Sequence, residues 1–135
     1  MRARPNEVRA GDSRTLWFER MEIVDLTTQD WLPVEEYDIV GAAHAASIAF
    51  GSGEAHVRLL RLGAGSQVAP HETGFGQLFV PIEGGGWVSQ GSDKVEIRVG
   101  QAAYFPKGVT QAKGSETGMV ALMIQVDDLD LGGEV

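Results

Sequence analysis

Apolar and polar positions alternate along much of the second half of the chain. Val95, Ile97 and Val99 are interleaved with Glu96 and Arg98, the two-residue period of a half-buried strand. Residues 77–82 (QLFVPI) place Gln77, Phe79 and Pro81 on one face and Leu78, Val80 and Ile82 on the other. Pro81 has no N–H for a ladder, so it belongs at an edge or a bulge. Residues 56–62 (HVRLLRL), 67–71 and 102–105 also read as strands, the second of them broken at Pro70. Residues 119–126 (MVALMIQV) are apolar on both faces, which predicts burial on both sides. Turns are expected at Gly63-Ala64-Gly65, Gly84-Gly85-Gly86 and Pro106-Lys107-Gly108, with a hairpin around Gly91-Ser92-Asp93.

The first half is less regular. Residues 1–20 read as a polar N-terminal arm that ends in an apolar cluster, Leu16, Trp17 and Phe18. Residues 21–26 form a short strand, 27–30 a turn or helix start, and 31–34 an extended segment, since Pro33 disfavours helix at Leu32. A strand is expected over 45–50, followed by a turn at Gly51-Ser52-Gly53. The pattern gives about nine short strands and no helix: one barrel over 21–130, with 131–135 as a frayed tail. An all-β antiparallel sandwich or closed barrel satisfies it.

Composition narrows the class. The 18 glycines are scattered between apolar runs, as tight turns in a β protein require. There is no cysteine, so disulfides and thiolate metal sites are excluded. Net charge is −8. Residues 1–20 hold five Arg against Glu7, Asp12 and Glu19, so the rest of the chain is strongly acidic and would repel phosphate backbones. No nucleic-acid partner is expected. Apolar runs fall short of the ~20 residues of a membrane helix, and no leader pattern is visible, so a cytoplasmic protein with no membrane partner is expected.

Two spacings carry the candidate chemistry. In residues 65–84, Gly65, His71, Thr73, Gln77 and Gly84 follow the frame Gly, five residues, His, one residue, His, three residues, Glu, six residues, Gly. In residues 100–115, Gly100, Pro106, Gly108, Gln111 and Ser115 follow Gly, five residues, Pro, one residue, Gly, two residues, His, three residues, Asn. Both frames resemble the two motifs of the cupin superfamily, and their separation is similar to that of small bacterial cupins. The resemblance covers roughly residues 40–127. It implies a jelly-roll β-barrel, and pairing of two copies through edge strands or exchanged N-terminal segments; a homodimer is expected. It also implies that metal ligands, three His and a Glu in metal-binding members, map onto His71, Thr73, Gln77 and Gln111.

Thr and Gln offer neutral oxygens only, so no metal or other cofactor is expected. A metal, if held, would use His71 with Gln77, Gln111 or His56. The substituted positions can all hydrogen-bond, which predicts a neutral pocket for a small polar molecule lined by His71, Thr73, Gln77, Phe79 and Gln111. A second reading is a metal-independent isomerase, epimerase or lyase, with His71 as general base and Tyr104 or a Gln amide as the acid or oxyanion donor. A third is a metalloenzyme with shifted ligands, His71 with His56 or Glu72. Tyr104 and Trp87 are candidates to line the barrel, and His56 and Arg58 share a strand face that could hold an anion if it points inward.

Overall fold

The two-residue period produces strands throughout. The computed structural model describes residues 20–132, and among them there are ten strands and no helix. In chain order these are β1 (Glu22–Asp25), β2 (Leu32–Pro33), β3 (His44–Ala45), β4 (Ala49–Leu62), β5 (Ser66–His71), β6 (Gly76–Gln90), β7 (Asp93–Arg98), β8 (Gln101–Phe105), β9 (Gln111–Ser115) and β10 (Met119–Leu131). Every pairing is antiparallel. One wall runs β1-β8-β6-β10-β4, while β5, β7 and β9 build the other and β2 pairs with β3 alone.

Strand β6 belongs to both walls. Its first half pairs with β8 and β10, from Gln77 opposite Phe105 and Gln125. Its second half crosses over to pair with β7 and β9, with Val88 opposite Val95 and Lys113. The expected turn at Gly84-Gly85-Gly86 is therefore corrected: the ladder continues through it, and the glycines bend one strand between two sheets. Crowding explains the residue type. A Cβ on Gly86 would lie 2.1 Å from the Gly114 carbonyl oxygen of β9. The expected turn at Gly51–Gly53 is likewise continuous strand, with a register shift opposite between Val126 and Asp128. Pro81 sits where β10 shifts register between Val120 and Ala121, so its missing N–H disrupts little.

Alternation sorts the apolar residues into two clusters on the two faces of the main wall. Phe79, Ala103, Phe105, Met119 and Ala121 face the barrel interior with Leu62, Val88 and Ile97. Their sequence neighbours Leu78, Ala102 and Tyr104 pack on the opposite face with Leu129 and Leu131. Full burial of a side chain such as Phe79 contributes on the order of 2 kcal/mol. Of the expected tail over 131–135, Leu131 is buried and the Gly132 N–H donates to the Ile48 carbonyl at 2.8 Å, while 133–135 lie outside the described residues. The expected arm, with Leu16, Trp17 and Phe18, lies outside the described residues except for Arg20, which pairs with Asp93 at 2.7 Å.

Gly86→Ala should separate β6 from β9, because the added Cβ, held rigidly on one backbone, meets a main-chain carbonyl oxygen of the other. The expected loss is about 2–4 kcal/mol, read as a lower urea midpoint with an unchanged slope. An unaffected midpoint would mean that the close approach of β6 and β9 is not needed.

Candidate functional site

Strand β9 carries the polar side chains of the interior. With period two, Gln111, Lys113 and Ser115 share one face, and all three are buried. Ser115 is part of the scaffold: its hydroxyl donates to Gly85 O at 2.6 Å and accepts from the Gly118 N–H at 2.8 Å. Gln111 and Lys113 meet side chains from two other strands. Gln77 (β6) and Gln125 (β10) are cross-strand partners, and the Gln125 amide donates to Gln77 Oε1 at 2.8 Å. The Gln77 amide donates onward to Gln111 Oε1 at 3.3 Å, and Lys113 Nζ donates to the same oxygen at 2.8 Å.

These bonds fix the orientation of both amides. Two donors converge on Gln111 Oε1, so that atom is the oxygen and the NH2 group points away. That Nε2 is buried with no hydrogen-bond partner. A buried amide donor left unpaired costs about 1–3 kcal/mol.

Lys113 is 2% exposed. Its Nζ lies 4.8 Å from the centre of the Phe79 ring and 5.2 Å from that of Phe105. No carboxylate pairs with it among the described residues. Burial pushes its pKa down from the ordinary 10.5 to about 8. The two ring faces and the Gln111 oxygen favour the cation, but they replace only part of its lost hydration.

Gln125 also lines a pocket of about 360 Å³ with Glu54, His56, Arg58, Phe75 and Asp127. His56 is the cross-strand partner of Gln125 on β4, and Arg58 that of Met123, so both sit on the interior face of the wall. His56 Nε2 lies 2.6 Å from Glu54 Oε2, and the Glu54 N–H donates to Asp127 Oδ2 at 2.9 Å. The pocket thus opens beside a hydrogen-bonded row, Gln125 to Gln77 to Gln111, that ends at Lys113.

Of the residues expected from the sequence, Gln77, Phe79 and Gln111 come together. His71 and Thr73 do not join them. His71 is opposite Gln111 in the β5–β9 ladder, but it is exposed and its Nδ1 is bonded to Ala69 O at 2.8 Å. The Thr73 hydroxyl donates to Phe75 O at 2.8 Å. Tyr104 is corrected more sharply: it packs on the far face of the wall, with its hydroxyl donating to Leu129 O at 2.6 Å. It cannot serve as the acid partner of His71. Trp87 also faces away from the interior, as its neighbour Val88 faces in, and it lies under the Lys94 ammonium at 4.3 Å. Glu72 is exposed. Two residues went unnoticed, Lys113 and Gln125. Strand alternation through Gln111 points to the first, and the pairing of residue 77 with β10 to the second. Lys113 puts a cation beside the Gln77–Gln111 pair, where only neutral groups were expected.

No family model and no curated protein matches the chain. Solved structures do. A salicylate 1,2-dioxygenase from Pseudaminobacter salicylatoxidans superposes with a TM-score of 0.52 at 16% identity, over 62% of this chain and 29% of that one. A conserved protein of unknown function from Streptococcus pyogenes gives 0.52 at 13% identity, over 64% and 76%. A DMSP lyase from Ruegeria pomeroyi DSS-3 gives 0.51 at 13%, over 73% and 56%. The chain has the cupin fold. It spans under a third of the dioxygenase, and these identities carry the fold alone.

The usual cupin metal does not fit the residues present. His71 is exposed and stands apart from the Gln77–Gln111 pair, and the oxygens of Gln77 and Gln111 already accept hydrogen bonds. An ammonium stands 2.8 Å from the Gln111 oxygen that would have to bind the ion. Among the described residues no three His, Asp or Glu side chains are grouped to hold a metal.

Lys113 should make stability depend on pH with a definite sign. Its folded pKa is below its unfolded one, so between about pH 8 and 10.5 the unfolded chain binds the extra proton and stability rises with pH. Below pH 8 the cost of the buried charge is fully present, about 3 kcal/mol before the ring contacts are counted. Lys113→Met should therefore stabilise the protein by roughly 1–3 kcal/mol at pH 7. The advantage should vanish by about pH 10.5. Urea unfolding of both proteins at pH 7, 9 and 10.5 measures it, and a variant less stable at pH 7 would show the charge to be well compensated.

Proposed function

We propose that this protein is a small-molecule-binding cupin that admits its ligand at the pocket beside Gln125 and holds it against the Gln77–Gln111–Lys113 row. The observation that carries this reading is the Gln111 amide nitrogen, buried and without a partner. Native interiors pair such groups, and where the protein supplies no acceptor a bound molecule or water must. The pocket of about 360 Å³ is of a size for a small metabolite. The proposal includes the absence of a resident transition metal, since the retained cupin positions offer neutral, occupied oxygens and a cation beside them.

The expected homodimer also belongs to the proposal. Strand β4 ends the main wall, and its outward residues Val57 and Leu59 are 65% and 67% exposed. A second copy seated there would cover both.

Two measurements test the site. Screening small metabolites by thermal shift should find ligands whose effect on the full chain falls about tenfold in affinity with Gln125→Leu and with Gln111→Leu. Ligands indifferent to both substitutions would place binding elsewhere. Elemental analysis after dialysis against a weak chelator should find far less than one transition metal per chain; near one per chain would overturn the metal-free reading.

A further inference from the structure

The hydrogen bonds of the interior row converge on the Gln111 oxygen. Gln125 donates to Gln77, Gln77 donates to Gln111, and Lys113 donates to the same Gln111 oxygen. The side-chain oxygens of Gln77 and Gln111 are thereby taken up as acceptors. The inner end of the row, at Gln111 and Lys113, has hydrogens left to offer: both N–H of Gln111 and two of the three on Lys113. There the free groups are donors, one of them cationic, and such an end selects a ligand that brings acceptors and negative charge.

Resting on the binding-site reading above, we propose that the ligand is a small carboxylate whose oxygens accept from Lys113 Nζ and Gln111 Nε2. The side chains against Lys113 agree. Its cross-strand partners Val68 and Val88 and the rings of Phe79 and Phe105 carry no titratable group, and Gln111 is neutral. A carboxylate entering there finds no anion to repel it and supplies the counter-charge that the ammonium lacks. The titratable groups at the entrance are Glu54, His56, Arg58 and Asp127, of both signs. The pocket mouth alone therefore does not select a negative ligand, and the selection falls to the interior.

The pH dependence follows from the amine. Burial pushes the Lys113 pKa down to about 8. Carboxylate affinity should hold at pH 6.5 and fall as pH rises through the value for the bound state, which lies higher because the anion stabilises the cation.

The test uses the full chain and a matched series of probes: acetate and propionate, acetamide and propionamide, ethylamine. Binding is measured by titration calorimetry or by chemical-shift changes at pH 6.5 and pH 10. Carboxylates should bind in preference to amides and amine. Their affinity should drop about 10- to 100-fold at pH 10 and by a similar factor in Lys113→Met, which far-ultraviolet circular dichroism should show folded. In Lys113→Met the preference for a carboxylate over its matching amide should disappear. Arg58→Gln controls for the mouth: if it abolishes carboxylate binding while Lys113→Met does not, the charge that matters is Arg58 and the proposal fails. Equal binding of acetate and acetamide, both weakened by Gln125→Leu, would also defeat the carboxylate assignment while leaving the site itself in place. If no probe binds in a way that Gln125→Leu alters, the site reading and the assignment fall together.

Discussion

An ammonium group held 2% exposed, with no carboxylate beside it among the described residues, governs how the interior of this barrel is arranged. Stripping a lysine of water is costly, and the fold must answer the cost with whatever surrounds the amine. It does so with one amide oxygen at 2.8 Å and two ring faces near 5 Å. That oxygen must be turned toward Lys113, which turns the Gln111 NH2 away and leaves it without a partner. The orphan donor and the lowered lysine pKa are two consequences of one burial. With an apolar residue at position 113 the lowered pKa would be gone and the Gln111 oxygen would be held by the Gln77 amide alone.

The route of β6 makes this arrangement possible. The strand contributes Gln77 and Phe79 to one wall, then crosses at Gly84–Gly86 and pairs with β9 in the other. Val88 is thereby set opposite Lys113, while Gln77, eleven residues earlier on the same strand, reaches Gln111 from across the interior. The strain of this crossing is absorbed by glycine: positions 86 and 114 touch without side chains where the two walls close on each other. Packing, bend and polar row are thus coupled, and a change at Gly86 would be felt at Gln111 through the ladder between β6 and β9.

The barrel was legible because its constraints are local. The four motif glycines, Gly65, Gly84, Gly100 and Gly108, all adopt positive φ between 71° and 98°, which other residues avoid. The spacing survives because backbone geometry requires it, even though ligand positions within it have changed. Strand alternation likewise placed Gln77 and Phe79 on the interior face. The site was legible only in part. Motif spacing draws the eye to positions 111 and 115 and passes over Lys113 between them, although period two puts all three on one face. His71 stands apart from the interior row because an irregularity around Pro70 separates it from Val68, and its ring is bonded to the Ala69 carbonyl. Tyr104 follows Ala103 and precedes Phe105, both interior, so alternation alone sends it to the outer cluster. The unbroken course of β4 and β6 could not be read from their glycine runs, because glycine serves a turn and a strand crossing by the same freedom.

Counting charge connects this interior to that of the metal-binding cupins it resembles. A divalent ion held by three neutral imidazoles and one carboxylate leaves a net charge of about +1 in the barrel. Here the imidazole and carboxylate positions within the interior hold Gln77 and Gln111, which are neutral, and Lys113 supplies a single positive charge two residues from Gln111. The net charge is the same, but its carrier is covalent and tethered to β9. Three properties change with the carrier. A lysine cannot be lost to a chelator; it offers hydrogens where a metal offers empty coordination positions; and it is discharged by base at a pH set by its own burial. On the reading proposed above, a positive charge is kept at these residues and Lewis-acid chemistry is given up, since an ammonium can bind and orient an oxygen but cannot coordinate it.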